Sequence, residues 1–207
     1  MKVPITRPCF DNQEINAVKE VLESGWVVQG PKIAEFERMF CEFANTSYGK
    51  AVTSCTTALH LALIASGVGR GDEVILPSFT FIATANVVEY IGAVPVFCDI
   101  DLDTYNISPD NILEIIQKNY SIEKTSGLLK NKSTGRFLKA IVPVHLFGLS
   151  ADIVKINKIA QEYNLRVIED AACAVGGYIN GKHVGSYGNM ACFSFHPRKA
   201  ITTGEGG

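Results

Sequence analysis

Two hydrophobic periods alternate along this chain. Ile15, Val18 and Leu22 recur at helical spacing, Asp11 and Glu14 form a capping pair, and Ser24-Gly25 ends the pattern, which predicts an amphipathic helix. After a break at residues 26–31, Pro31 suits a first helical turn, and Ile33, Phe36, Phe40 and Phe43 mark a second helix whose aromatic stripe faces a core. From Lys50 the style changes. Short apolar runs at 51–53, 73–76, 94–98, 140–144 and 165–168 read as buried strands. Between them lie helical patterns at 58–65, 79–90, 108–118 and 152–163. Strand and helix in alternation predict an α/β protein, a three-layer sandwich around a mostly parallel central sheet. In such sheets ligands gather beyond the carboxyl ends of the strands.

Two segments depart from the alternation. Residues 118–139 are polar and lysine-rich with weak periodicity, and read as a surface loop inserted into one domain. Asn180-Gly181, between Tyr178-Ile179 and His183-Val184, is a two-residue hairpin signal, after which the chain returns to a strand carrying Cys192. The same stretch matches G-x-x-x-x-G-K. However, His183 stands where a magnesium-binding hydroxyl is required and no strand–loop–helix context surrounds it, so it is not a phosphate-binding P-loop.

Composition narrows the function. Among 207 residues, 19 basic and 21 acidic side chains leave a net charge of −2, which gives no electrostatic case for nucleic acid or an anionic membrane. The uncharged run 74–88 is shorter than the roughly 18 residues of a membrane span, and no apolar signal core follows Met1-Lys2. Six cysteines stand singly, with no C-x-x-C pair, which argues against a zinc cluster or a disulfide scaffold; no metal site is expected. The pattern fits reduced thiols in a cytoplasmic protein, with a small molecule or another protein as partner.

The candidate chemistry is scattered. Phe193-Ser194-Phe195-His196-Pro197 is an apolar run that stops before Arg198-Lys199, and Thr202-Thr203-Gly204-Glu205-Gly206-Gly207 follows as a loop able to hold a lysine against a ligand. By itself Arg198-Lys199 reads more readily as a solvated basic turn, since lysines are mostly exposed. The polar turn Ser54-Cys55-Thr56-Thr57 opens a helix, whose N-terminal N–H groups make a phosphate seat or simply a capped start. Asp170 ends a strand, as a ligand-facing carboxylate or a solvated cap. His145 also ends a strand and reads as a structural histidine.

Taken in order, Ser24-Gly25-Trp26, Ser54-Cys55-Thr56-Thr57-Ala58-Leu59-His60, Pro77-Ser78-Phe79-Thr80-Phe81, Pro143-Val144-His145-Leu146-Phe147-Gly148, Val167-Ile168-Glu169-Asp170-Ala171-Ala172 and the Phe193 to Gly207 stretch resemble the DegT/DnrJ/EryC1/StrS family of sugar aminotransferases. The resemblance covers almost the whole chain. It implies the large domain of a fold-type-I pyridoxal-5′-phosphate transferase over residues 1–207, with a C-terminal small domain lying outside this sequence. It also implies a homodimer that moves an amino group from glutamate or glutamine to a nucleotide-linked keto-sugar, in amino-sugar or polysaccharide biosynthesis.

Residue by residue, the resemblance gives Lys199 the cofactor as a Schiff base and the proton transfer that follows. It gives Asp170 the pyridine nitrogen, Phe81 the ring face, and Thr56, Thr57 and Ser194 the phosphate. Cys173 stands where many members carry Gln or His near the cofactor's O3′ oxygen. Two other activities are compatible with the resemblance: a sugar dehydratase of the same family, against which Lys199 speaks because those relatives carry histidine there, and a non-catalytic binder of cofactor or sugar.

Overall fold

A computed structural model describes residues 3–207. The first predicted helix forms as α1 (Asn12–Ser24), with Asp11 and Glu14 closing a capping box and Gly25 in the left-handed conformation at its end. Its apolar residues Ile15, Val18 and Leu22 are exposed. By contrast, α2 (Pro31–Ala44) sets Phe36 and Phe40 edge-on against Phe195 and Phe193, with ring centroids 5.0–5.5 Å apart. The expected aromatic stripe is therefore the support beneath the stretch that leads to Lys199, although Phe43 is half exposed.

The alternation then yields α3 (Cys55–Ala65), β1 (Glu73–Pro77), α4 (Ala83–Tyr90), β2 (Val94–Cys98), α5 (Pro109–Asn119), β3 (Tyr120–Ile122), β4 (Leu129–Asn131), β5 (Phe137–Ile141), α6 (Ile153–Glu162) and β6 (Arg166–Asp170). The hairpin β7 (Tyr178–Ile179) and β8 (Lys182–His183) and the short strand β9 (Met190–Cys192) complete the order. Strands β2, β1, β5, β6 and β9 run parallel in that spatial order, five members of a seven-stranded sheet.

The two-residue strand period explains the layers. Val74, Leu76, Ala140, Val142 and Ile168 pack against α3 and α4 on one face. Ile75, Ile141 and Val167 pack against α5 and α6 on the other, and Leu138 joins that face because the β1–β5 register shifts by one residue between Glu73 and Val74. A strand buried on both faces must be apolar throughout, hence the uninterrupted Val74-Ile75-Leu76 run. The sheet is three-layered and mostly parallel, as its pattern predicts.

Three local expectations are corrected. Residues 118–139 are not a plain surface loop: β3 and β4 form an antiparallel hairpin, and β4 pairs with the start of β5. The buried Glu73 carboxylate ties it down, accepting from Tyr120 Oη at 2.6 Å, Asn131 Nδ2 at 3.0 Å and Thr134 Oγ1 at 3.0 Å. Residues 51–53 form no ladder. Val52 exchanges one reciprocal pair of backbone hydrogen bonds with Gly207, at 2.9 and 3.0 Å, and a single pair is too short for a strand. Residues 79–82 precede α4 rather than belonging to it, so Phe81 leaves the helix face. The Asn180-Gly181 turn forms as expected, both residues having positive φ as a type I′ hairpin requires.

Candidate active site

The strand order reverses at β1: the chain moves outward to β2, then returns to β5 and continues through β6 to β9 on the other side. Crossovers leave a crevice beyond the carboxyl ends at such a point. A cleft of about 710 Å³ lies there. Its lining comes from the segments following β1, β5, β6 and β9 and from the first turn of α3. Thr56, Phe81, Asp170, Cys173, Ser194 and Lys199 all border this one cleft.

Asp170 sits at its base. The carboxylate is only 5% exposed, accepts from Thr84 Oγ1 at 2.9 Å and from the Ala172 N–H at 3.2 Å, and has Thr80 behind Thr84 at 3.0 Å. Because Thr84 gives its proton to Asp170, its lone pair is free for the Thr80 hydroxyl. Burial pushes the Asp170 carboxyl above the ordinary aspartate range, while Thr84, the Ala172 amide, His145 and Lys199 each pull it down. A buried acceptor of this kind is completed by a cation or a cationic hydrogen-bond donor.

The neighbouring carboxylate points the other way. Glu169 lies on the opposite face of β6, fully buried, and takes up His145 Nε2 at 2.9 Å with the backbone N–H groups of Gly185, Tyr187 and Gly188 at 2.8, 3.0 and 2.5 Å. Burial opposes its ionisation, but the His145 bond and the Gly188 and Gly185 amides hold its carboxyl below the usual glutamate range. His145 also accepts at Nδ1 from the Ala151 N–H at 3.2 Å, which makes it structural, as its sequence position suggests. Glu169 is the residue that sequence reasoning missed. Its signal was the strand period, which must turn two successive carboxylates to opposite faces.

Lys199 is presented by a closed loop. Phe195 accepts at its carbonyl from Thr203 N at 3.1 Å and Thr202 Oγ1 at 2.7 Å, and donates its own N–H to Gly206 at 3.0 Å. Within that loop Lys199 N bonds the His196 carbonyl at 2.9 Å, and its Nζ reaches Cys173 Sγ at 3.1 Å. Gly207 lies so close to α3 that an added Cβ would stand 2.3–2.5 Å from the backbone of Ser54 and Cys55, so glycine is required there.

At the N-terminus of α3 the two threonines part company. Ser54 is the N-cap and accepts from Thr57 N at 3.1 Å, and the Thr57 hydroxyl is shared with Thr53 and Ser54 at 3.1 and 3.0 Å. Thr57 does not border the cleft, whereas Cys55 and Thr56 do, together with the buried Ser194. The helix also starts at Cys55 rather than Ala58, since the capped turn is its first turn. Phe81 is 76% exposed at the mouth, where it presents a ring rather than filling a core. Among the described residues no cluster of three or more His, Cys, Asp or Glu could hold a metal, and no helix is long and apolar enough to cross a membrane.

The profile of the DegT/DnrJ/EryC1/StrS aminotransferase family matches residues 8–207. The chain belongs to that family. Solved relatives agree in fold. An aminotransferase from Psychrobacter cryohalolentis is 38% identical, with a TM-score of 0.83 over 97% of this chain and 48% of its own. Spr1654 from Streptococcus pneumoniae, in its PLP form, is 31% identical, with a TM-score of 0.85 over 100% of this chain and 52% of its own. A 3-amino-5-hydroxybenzoic acid synthase is 37% identical, with a TM-score of 0.83 over 96% of this chain and 48% of its own. The chain thus spans about half the length of the structures it matches, and its fold is that of the fold-type-I large domain.

Proposed function

We propose that this chain is the cofactor-holding part of a pyridoxal-phosphate-dependent aminotransferase that moves an amino group from glutamate or glutamine to a nucleotide-linked keto-sugar. The observation that carries the reading is the pairing, on one cleft, of a buried carboxylate that wants a cationic partner with a lysine held on a closed loop. The donor set suits the cofactor: Asp170 for a protonated pyridine nitrogen, the Thr56 N–H and Ser194 hydroxyl for the phosphate, and Phe81 for a ring face. With Thr57 N already capped by Ser54, the phosphate seat shifts toward the first residues of α3. Bound pyridoxal phosphate supplies an aldehyde that exchanges amines and a ring that takes up electrons when a C–H bond beside the nitrogen breaks.

The chain's own residues divide the remaining work. Asp170 stays ionised once a cation sits against it, and so keeps the ring nitrogen protonated. The Lys199 amine would hold the cofactor's aldehyde carbon between turnovers and, when free, would carry the proton that amino transfer moves. Thr84, backed by Thr80, fixes the carboxylate's orientation. The Cys173 thiol stands beside the lysine amine and, by the family resemblance, would lie near the O3′ oxygen of a bound cofactor.

A homodimer and a cytoplasmic setting complete the reading. The first rests on family resemblance and the second on six cysteines that are all free. The description of Spr1654 as a sugar aminotransferase supports a sugar acceptor, and a relative named for making 3-amino-5-hydroxybenzoic acid favours a second reading in which the acceptor is a cyclic ketone without a nucleotide. The whole gene product, loaded with cofactor and mixed with glutamate and then, in separate reactions, with a nucleotide-linked keto-sugar or a cyclic ketone, distinguishes these. Appearance of the amino-sugar in the mass spectrum is expected. Dehydrated sugar without amine would identify a dehydratase, and bound cofactor with no amino transfer to either acceptor would identify a non-catalytic binder.

A further inference from the structure

Cys173 and Lys199 meet although they lie far apart in sequence. Cys173 sits in a tight turn after β6, in which Ala171 N bonds the Cys192 carbonyl at 2.9 Å and Ala174 N bonds the Ala171 carbonyl at 2.9 Å. Lys199 is fixed from the other side by its loop, so the 3.1 Å contact joins two held backbones rather than two swinging chains. The thiol is exposed to solvent. Three other thiols are different: burial pushes those of Cys55 and Cys192 far up, and Cys98, buried on the opposite face of the sheet, is raised to about 12. Peroxide reacts with thiolates it can reach, so Cys173 is the cysteine beside the cleft open to it.

We propose that Cys173 and Lys199 form a peroxide-driven, thiol-reversible sulfur–nitrogen crosslink that withdraws the lysine amine from use. The first step breaks the O–O bond of a peroxide: the Cys173 thiol is oxidised to a sulfenic acid and one water is released. In the second, the Lys199 amine attacks that sulfur, the S–O bond breaks, an S–N bond forms, and the hydroxyl leaves with an amine proton as a second water. No further oxidant is consumed. A low-molecular-weight thiol reverses the link by attacking the sulfur, which returns the amine and leaves a mixed disulfide that a second thiol resolves. The lysine's flexible four-carbon stem allows the short closing movement. A sulfenic acid without a neighbouring nucleophile goes on to irreversible sulfinic acid. In this pair the amine intercepts it first and protects the cysteine while the site is idle.

The geometry behind this inference stands without the cofactor, while its consequence for activity rests on the function proposed above. The test treats the reduced, cofactor-free protein with dilute hydrogen peroxide and reads intact and peptide masses. The expected product is about 2 Da lighter than the reduced chain, with fragments joining the Cys173 and Lys199 peptides, and dithiothreitol restores the original mass. In Lys199→Arg the same cysteine should instead gain about 32 Da as sulfinic acid, and Cys173→Ser should show neither product at this position. Oxygen uptake on Cys173 in the unaltered chain with no S–N link would overturn the proposal, and so would a disulfide from Cys173 to Cys9 as the lighter species. Prior loading with pyridoxal phosphate should suppress the link. If the link forms equally fast in the loaded protein, the crosslink stands and the assignment of Lys199 to the cofactor fails.

Discussion

At the scale of single residues, the site is built from groups whose burial conflicts with their charge. Asp170 is the clearest. Its folded-state pKa is raised by burial above the ordinary 3.8, so the fold binds a proton more tightly than the unfolded chain, and the stability this brings is lost as pH rises through that raised value. Asp170→Asn should therefore raise the melting temperature of the cofactor-free protein at neutral pH, with the advantage shrinking as the pH is lowered. The same change should weaken pyridoxal-phosphate binding by about 1.5–3 kcal/mol, the usual worth of a hydrogen bond to a charged group, as read by titrating the cofactor absorbance.

His183 shows the opposite sign. It is 1% exposed, enclosed by Phe43, Tyr178 and Phe193, and accepts from Gly176 N at 3.1 Å. Burial depresses its pKa below 6.5, against the upward pull of the Val184 backbone and Glu169. Its contribution is present above 6.5 and is lost as the pH falls below, because the unfolded chain takes a proton that the fold refuses. Denaturant melts should show stability falling on acidification from that point, before the carboxylates titrate, and the fall should be shallower in His183→Gln.

At the scale of elements, the alternation of helix and strand was legible because burial of β1 on two faces demands an unbroken apolar run, while α5 and α6 bury one face each and keep the helical spacing of their apolar residues. The edge hairpin of β3 and β4 was not legible, because its hold on the sheet is polar. Tyr120 and Leu129 are buried within it, and beyond the short β4–β5 ladder its grip is the Glu73 carboxylate reaching across from β1. Such a contact leaves no periodicity in a lysine-rich segment. Glu73→Ala would strand three donors at once, and should cost about 1–3 kcal/mol in urea melts. Hydrogen exchange should accelerate over β3 and β4 and leave β6 and β9 unchanged; uniform acceleration would mean that the carboxylate supports the whole sheet instead. The start of α3 was legible as a polar turn, but which N–H Ser54 caps depends on backbone geometry, so the separation of Thr56 from Thr57 emerged only in three dimensions.

At the scale of the whole molecule, topology gathers what the sequence scatters. Residues as distant as Thr56, Phe81, Asp170 and Lys199 converge because β1, β5, β6 and β9 all point their carboxyl ends to one side and α3 aims its N-terminus there. The candidate lysine could be named from the sequence through its family-like surroundings, and local composition alone did not separate it from a surface lysine. The loop after it was legible from its threonines and glycines, but the backbone bonds to Phe195 and His196 that close it and the side-chain contact with Cys173 had no sequence signal. The central claim is that Lys199 is where the cofactor attaches. Borohydride reduction of the protein after incubation with pyridoxal phosphate, followed by digestion and peptide mass analysis, reads the attachment point directly. The account predicts a pyridoxyl group on Lys199 and its loss in Lys199→Ala with the fold intact; the label on other lysines alone, or unchanged labelling in that variant, would contradict it.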